Sequence, residues 1–129
     1  MSRGLGDTSL FIARETGRPI DAAAVPDQIA LSVITLGELR AGALTAGSLI
    51  VRDRRLSTLA DALSLEVVPI DERIAETWAR LRLTLRDAGQ RMPANDSWIA
   101  ATAMALGVPV VTQDADYDVS VAGLEVIRV

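Results

Sequence analysis

The side chains best suited to chemistry in this sequence are acidic. Its 129 residues include no His and no Cys, and every basic residue is Arg. These absences exclude imidazole and thiolate metal ligands, disulfide bonds, cysteine nucleophiles and a phosphate-binding loop that needs Lys. Carboxylates are therefore the obvious candidates for general bases and metal ligands. Oxygen ligands of this kind suit a hard cation such as Mg²⁺ or Mn²⁺.

Five acidic residues lie where a strand is predicted to end or a helix to begin. Asp7 comes just before the first helical run, and Glu38 lies about one helical turn past a buried strand. Asp96 opens a helix after a proline-containing loop, and Asp114 and Asp116 follow directly on an apolar run. If these regions converge, the mutual repulsion of their carboxylates predicts a neutralising cation.

Each of these acids also has a purely structural interpretation, and the sequence leaves both open. Asp7 could be the N-cap of the first helix. Glu38 could complete a capping box that begins at Thr35. Asp96 could interact favourably with a helix dipole, and the last two acids could be turn residues.

The segment from Asp114 to Glu125 also matches part of a calcium-binding EF-hand loop. Loop positions 1, 3, 5 and 12 of that pattern are occupied by Asp114, Asp116, Asp118 and Glu125. The sixth position is Val119, where the sharp turn of an EF-hand needs Gly. Because β-like runs rather than helices flank this segment, the sequence argues against an EF-hand.

The elements that must position these acids alternate between short β-like runs and helical runs. The predicted strands are Ile29–Val33, Glu66–Ile70, Val108–Thr112 and Leu124–Val129. The predicted helices are Leu10–Glu15, Thr35–Thr45, Ser48–Leu63, a long helix from the N-cap Asp71 to near Gly89, and Asp96–Leu106. This alternation predicts one α/β domain over residues 1–129, with a mainly parallel sheet flanked by helices. Sites in such sheets form beyond the carboxyl ends of the strands.

The charge and hydropathy of the chain limit its partners. A formal net charge of −4 argues against a broad basic surface for nucleic acid, although local arginines could contact phosphates. The candidates for such contacts are Arg14, Arg18, Arg40, Arg52, Arg54, Arg55 and Arg91. No apolar run reaches membrane-spanning length and the start of the chain is not a signal core, so we expect a cytoplasmic protein with no membrane contact.

Four segments together resemble the motifs of PIN-domain ribonucleases, in particular the VapC-type toxins of bacterial toxin–antitoxin pairs. They are DTS at 7–9, SVITLGEL at 32–39, NDSWIAATA at 95–103 and TQDADY at 112–117, and they occur in the family's order. The family usually places aliphatic residues before its first Asp, whereas residues 2–6 here read SRGLG. Because Gly is a poor strand former, a central first strand is predicted to be absent or unusually short.

The resemblance implies a metal-dependent endoribonuclease toxin that cleaves single-stranded or structured RNA, such as tRNA or rRNA, with Mg²⁺ or Mn²⁺. On this match the catalytic residues are Asp7, Glu38, Asp96 and Asp114, and these four residues and Asp116 bind the metal. Because there is no His to activate a 2′-hydroxyl, metal-activated water is the expected nucleophile. Thr8 and Thr112 have hydroxyls that could serve the site or only local hydrogen bonds.

The same resemblance implies protein partners. A VapB-like antitoxin is expected on the first helices, near Phe11, Ile12, Leu36 and Leu39, and the chain is expected to form a homodimer. For Trp98, near the third acidic motif, core packing is favoured over stacking on a base.

Two rival functions remain open at this stage. A Toprim-like metal-dependent nuclease also uses one Glu and an Asp-x-Asp at a strand end, but it leaves Asp7 and Asp96 unexplained. A non-catalytic PIN-like binding module would be indicated by the loss of site acids. All four expected acids are present.

Overall fold

The structure is a computed structural model that describes residues 1–129. Its five strands are β1 (Arg3–Gly6), β2 (Gln28–Ser32), β3 (Glu66–Val68), β4 (Val110–Thr112) and β5 (Val126–Arg128). Its five α-helices are α1 (Thr8–Thr16), α2 (Val33–Leu44), α3 (Leu49–Leu63), α4 (Glu72–Asp87) and α5 (Ala94–Leu106). Two short 3₁₀ turns lie at Ala22–Ala24 and Ala115–Tyr117.

All strand pairs are parallel, and the strand order is β3-β2-β1-β4-β5. The chain therefore begins in the middle of the sheet and builds outward first on one side and then on the other. Such a reversal of strand order creates a crevice at the carboxyl ends of the central strands, here β1 and β4. The predicted α/β class with a parallel sheet and flanking helices is confirmed.

Strand β1 is present at the centre of the sheet and has four residues. Its glycines reflect close packing. A Cβ atom added to Gly4 would lie 2.6 Å from Val111 Cγ2, and one added to Gly6 would lie 3.0 Å from Ile29 Cγ2. Glycine inside a strand often marks such a close approach of neighbouring chains. The expectation of an absent or unusually short first strand is therefore wrong, since β3, β4 and β5 have only three residues each.

The start of α2 differs from the prediction. Ser32 is the N-cap, and its hydroxyl accepts a hydrogen bond of 3.1 Å from the Ile34 N–H. The helix therefore begins at Val33, and Thr35 is buried within it rather than capping it. The capping box proposed for Thr35 and Glu38 is wrong, because the helix begins before Thr35 and its N-cap is Ser32.

Other boundaries shift by one or two residues. Helix α5 begins at Ala94, immediately after the N-cap Pro93, whose ring favours this first-turn region and whose own missing N–H costs nothing there. Strand β3 ends at Val68, before Pro69, and β5 is limited to Val126–Arg128. These shifts leave every predicted strand and helix in place.

Two apolar clusters lie between the sheet and its helices. The larger has 13 buried residues and joins the sheet to α4 and α5, and the smaller has five and joins β2 to α1, α2 and α3. Trp78 and Trp98 stack at the edge of the larger cluster, with ring centroids 4.2 Å apart. Packing of Trp98 at the core, as favoured from the sequence, is what the structure shows. The longest helix, α4, has 16 residues, and none of the helices has both the length and the hydrophobicity to cross a bilayer.

Replacing Gly4 by Ala should destabilise the protein by about 1–3 kcal/mol, because the new methyl group would overlap Val111 in a well-packed interior. Gly37→Ala is the control, since a Cβ atom at this helical position would meet nothing within 4 Å. It should stabilise the fold by up to about 1 kcal/mol. Urea unfolding measures both, and equal stability of the two variants would contradict the packing argument.

Candidate active site

The carboxyl ends of β1, β2 and β4 open onto one crevice. Asp7 follows β1 directly, Ser32 passes from β2 into the helix that carries Glu38, and Thr112 ends β4. A second wall is the first turn of α5, which contains Asp96. The fold therefore brings all the segments with acidic motifs to the same edge of the sheet.

Three of the predicted acids form a compact group, which we call the acid cluster: Asp96, Asp114 and Asp116. One carboxylate oxygen from each lies within 4.8 Å of the others. Asp96 and Asp114 are half-buried, whereas Asp116 is exposed. The structure has three ion pairs, and none of them involves these residues. No arginine therefore forms an ion pair with the acid cluster, although the Arg128 guanidinium donates to the Asp114 carbonyl at 2.8 Å.

Asp7 lies beside this cluster and is 2% exposed. Its Oδ2 accepts hydrogen bonds from the Thr112 hydroxyl at 3.0 Å and from the Ser9 N–H at 3.3 Å. Its Oδ1 accepts one from the Tyr117 hydroxyl at 2.9 Å. The N-cap interpretation of Asp7 is thus confirmed, and the same carboxylate also belongs to the crevice.

Glu38 is held in the crevice by the residue that follows Asp7. The Thr8 hydroxyl donates to Glu38 Oε1 at 2.7 Å, and it lies 3.1 Å from the Thr35 hydroxyl. Glu38 is not a member of the acid cluster. The structure therefore separates the predicted acids into the cluster of three and a neighbouring pair, Asp7 and Glu38.

Tyr117 is a site residue to which the sequence analysis gave no role. Its ring is 1% exposed, and its hydroxyl lies 2.9 Å from Asp7 Oδ1 and 3.5 Å from Asp96 Oδ1. Burial first, and then the charges of Asp7 and Asp96, raise the pKa of this hydroxyl far above its usual range, so it remains a donor. The available signal was that the chain's single Tyr directly follows the acids Asp114 and Asp116, because a buried Tyr hydroxyl needs a partner.

Hydrogen bonds of hydroxyl groups connect the strand ends around the acids. Ser9 Oγ lies 3.1 Å from Thr112 Oγ1 and accepts a hydrogen bond of 2.9 Å from the Gln113 N–H. Thr112 Oγ1 in turn accepts from the Asp114 N–H at 2.8 Å. Thr8 and Thr112 therefore each donate a hydrogen bond to a predicted site carboxylate, and Thr112 makes a local hydrogen bond as well.

The EF-hand alternative is excluded by the same region. Asp118 makes an ion pair with Arg128 and is not a member of the acid cluster, and the segment is flanked by β4 and β5 instead of helices. Asp114 accepts from the Asp116 N–H at 2.9 Å, so the turn interpretation of Asp114 holds together with its place in the cluster.

Comparison with known proteins agrees with this geometry. Residues 5–120 match the PIN domain. The chain belongs to the PIN-domain family. Ribonuclease VapC5 of Mycobacterium tuberculosis is 46% identical to this PIN domain over 128 residues, which cover 98% of this chain and 95% of that protein. Ribonuclease VapC4 of the same organism is 47% identical over 132 residues, with 98% and 97% covered.

A solved structure of a related protein has the same fold as this chain. The crystal structure of a member of the VapBC family of toxin-antitoxin systems, VapBC-5 from Mycobacterium tuberculosis, superimposes with a TM-score of 0.92. Its sequence identity is 43%, and the match covers 100% of both chains. This PIN domain thus has the fold of its relatives over its full length, including the strand ends that carry the acids.

Electrostatic repulsion in this PIN domain shows most clearly at Asp96. Burial, a hydrogen bond with Asp116 and the charges of the neighbouring acids raise the pKa of Asp96 from 3.8 to about 7. Without a cation, protonation of Asp96 is therefore favoured below neutral pH. A divalent cation would replace that proton, and the all-oxygen donor set suits Mg²⁺ or Mn²⁺.

Removing the Tyr117 hydroxyl should leave the buried Asp7 carboxylate short of a donor. Tyr117→Phe is expected to destabilise the metal-free protein by about 1–3 kcal/mol in urea unfolding. The control is Thr102→Val, which removes another buried hydroxyl, bonded at 2.8 Å to the Trp98 carbonyl within α5. Its effect should be smaller, because that carbonyl keeps its helical partner. If Tyr117→Phe were as stable as the wild type, Tyr117 would not support Asp7.

The raised pKa of Asp96 predicts the pH dependence of stability in EDTA. The folded state binds this proton more tightly than the unfolded state, so the contribution of Asp96 is most favourable below pH 3.8 and is lost as pH rises through about 7. Asp96→Asn should therefore raise Tm relative to the wild type at pH 8, and the difference should shrink toward pH 5. Asp53→Asn, which removes an exposed acid on α3, should show no such trend. A pH-independent difference for Asp96→Asn would refute the assignment.

Proposed function

We propose that this chain is a ribonuclease that depends on Mg²⁺ or Mn²⁺ and acts in the cytoplasm as the toxin of a toxin–antitoxin pair. The observation that carries the proposal is the acid cluster, in which three carboxylates converge with no arginine partner. The names of the relatives, Ribonuclease VapC5 and VapC4, point to RNA as the substrate.

Asp96, Asp114 and Asp116 are the residues that would hold the cation directly. Asp7 and Glu38 complete the catalytic set by orienting the ligands and the water around it. When bound, a divalent cation supplies charge stabilisation for the phosphate and a water molecule of lowered pKa. The raised pKa of Asp96 fits this assignment, since a carboxylate crowded by like charges is stabilised by a cation.

Hydrogen bonds from neighbouring residues hold the carboxylates of Asp7 and Glu38 in place. Three donors hold the Asp7 carboxylate in one orientation. The hydroxyl of Thr8 fixes Glu38 Oε1, which leaves this half-buried carboxylate in place to accept a proton from water. With no His or Lys in the chain, a carboxylate is the natural general base.

A VapB-like antitoxin is the proposed protein partner, because the similar crystal structure is that of a VapBC toxin-antitoxin system. The expected contact surface needs correction. Phe11 and Leu39 are buried in the smaller core cluster, whereas Ile12 on α1 is 38% exposed. A partner helix would meet Ile12 and the half-buried Leu36, and a homodimer remains part of the proposal.

The rival functions differ in what they require of the site. The Toprim-like alternative is set aside by the match to the PIN domain and by the place of Asp7 and Asp96 in the crevice. A non-catalytic binding module remains the second candidate, since it would keep the fold and the antitoxin surface without cleaving RNA.

Cleavage of total cellular RNA by the purified protein tests the proposal. We expect discrete cuts with Mg²⁺ or Mn²⁺ and none in EDTA. Asp96→Asn should lower the rate by more than about 100-fold, because even outer-shell residues of metal sites typically contribute 10–100-fold. Glu125→Gln, which neutralises an exposed acid outside the acid cluster, should cleave like the wild type.

Cutting that persists in EDTA and in Asp96→Asn would show that the metal-dependent assignment is wrong. A protein that cuts no RNA with either metal would instead support the binding module.

A further inference from the structure

Three surface pockets differ in the charge of the side chains that line them. The pocket between α1 and α3 combines two arginines with two acids, and the pocket at the start of β1 combines one arginine with two acids. The third pocket lies at the C-terminal end of α4 and is lined by seven residues, with three arginines and no acid. We call it the arginine pocket, and its basic residues are Arg82, Arg86 and Arg91.

The arginine pocket is open and provides several donors. Its volume is about 520 Å³, and the buried side chains of Leu85 and Met92 contribute to its lining. The space beside Gly89, which has a left-handed backbone conformation, is open, since a Cβ atom built there would meet nothing within 4 Å. Gln90 accepts a hydrogen bond from the Ser120 N–H at 3.1 Å, which leaves its amide N–H₂ group as a further donor.

Capping of α4 does not account for these three arginines. A basic residue in the last turn of a helix stabilises the negative end of its dipole, and Arg86 meets that need. Arg82 lies one turn earlier, and Arg91 lies beyond the helix. The only ion pair among them is the exposed contact of Arg86 with Asp87 at 3.5 Å. Most of the positive charge in the pocket is therefore free for a ligand.

A chain of contacts connects the arginine pocket to the acidic crevice. The Arg82 guanidinium lies 5.5 Å from the centre of the Trp78 ring, and the Trp78 N–H donates to Ser97 Oγ at 2.9 Å. Ser97 directly follows Asp96 of the acid cluster. Along the backbone, the five residues from Arg91 to Asp96 span at most about 18 Å. A nucleic-acid strand of a few nucleotides could therefore contact both places.

We propose that the arginine pocket binds the phosphate backbone of the RNA strand whose scissile bond lies in the acidic crevice. This inference rests on the proposed ribonuclease function. A chain with net charge −4 and a cluster of carboxylates repels RNA, so the strand must be held by local positive charge. Arginine is suited to this role because its planar guanidinium forms paired hydrogen bonds with phosphate oxygens. Of the three arginines, only Arg91 is among those predicted from the sequence to contact phosphates.

Binding of a fluorescein-labelled single-stranded RNA in EDTA, followed by anisotropy over a range of NaCl concentrations, tests the pocket. The double variant Arg82→Gln/Arg91→Gln should raise Kd at least about tenfold, because charge-assisted bonds to phosphate are lost. The slope of log K against log salt should fall by about 0.7 for each lost phosphate contact. Arg86→Gln/Arg91→Gln, which leaves the contact with Trp78 intact, should behave in the same way.

The matched control is Arg73→Gln/Arg80→Gln, which removes the same charge from exposed positions on α4 that do not line the pocket. It should keep nearly the wild-type Kd and salt slope. Equal losses in the control and the pocket variants would mean that only net charge matters and would overturn the proposal. Wild-type RNA affinity in both pocket variants, with unchanged Tm, would overturn it as well.

Cleavage by the wild type with Mg²⁺ separates this proposal from the function on which it rests. If the wild type cleaves RNA and the pocket variants bind and cleave equally well, the pocket assignment alone is wrong. If the wild type neither binds nor cleaves RNA, both fail. If the pocket variants lose binding of a labelled poly-glutamate peptide but not of RNA, the pocket serves an acidic protein partner, which also overturns the proposal.

Discussion

A buried carboxylate at the end of the central strand is the constraint on which the site depends. Asp7 is 2% exposed, and an ionised group so buried is costly unless hydrogen bonds replace its water. Its donors come from α1, from the end of β4 and from the 3₁₀ turn that follows, namely Ser9, Thr112 and Tyr117. Because one side chain needs all three elements, satisfying Asp7 also sets the positions of the acids that those elements carry.

Close packing around β1 makes that arrangement possible. Gly4 and Gly6 leave room for neighbouring side chains beside the central strand, since a Cβ atom at Gly4 would overlap Val111 and one at Gly6 would make a tight contact with Ile29. The strand ends of β1 and β4 then lie side by side, and Thr112 reaches Asp7 directly. The residues that weaken the strand signal in the sequence therefore contribute to bringing the crevice together.

In the proposed function, two charged surfaces have different tasks: the acid cluster would hold a cation, and nearby arginines would bind the phosphate backbone. Burial and the like charges of the acid cluster raise the pKa of Asp96, and in the proposed function this cluster would hold a divalent cation. The same charges repel a polyanionic strand. In a chain with no Lys and only three ion pairs, unpaired arginines close to this cluster provide the compensating attraction. The arrangement of opposite charges on adjacent surfaces is consistent with binding a metal and a phosphate backbone at once.

The sequence by itself determined the α/β class, the order of the elements and the identity of the acids, because periodicity and residue type are local properties. The sequence predicted the ends of helices less well. At α2 both Ser32 and Thr35 could serve as the N-cap, and in the structure it is Ser32. Only the tertiary structure decided which acids meet, that Tyr117 bridges Asp7 and Asp96, and which arginines share a pocket. These are distances between residues far apart in the chain, such as the 110 positions between Asp7 and Tyr117, and no local pattern encodes them.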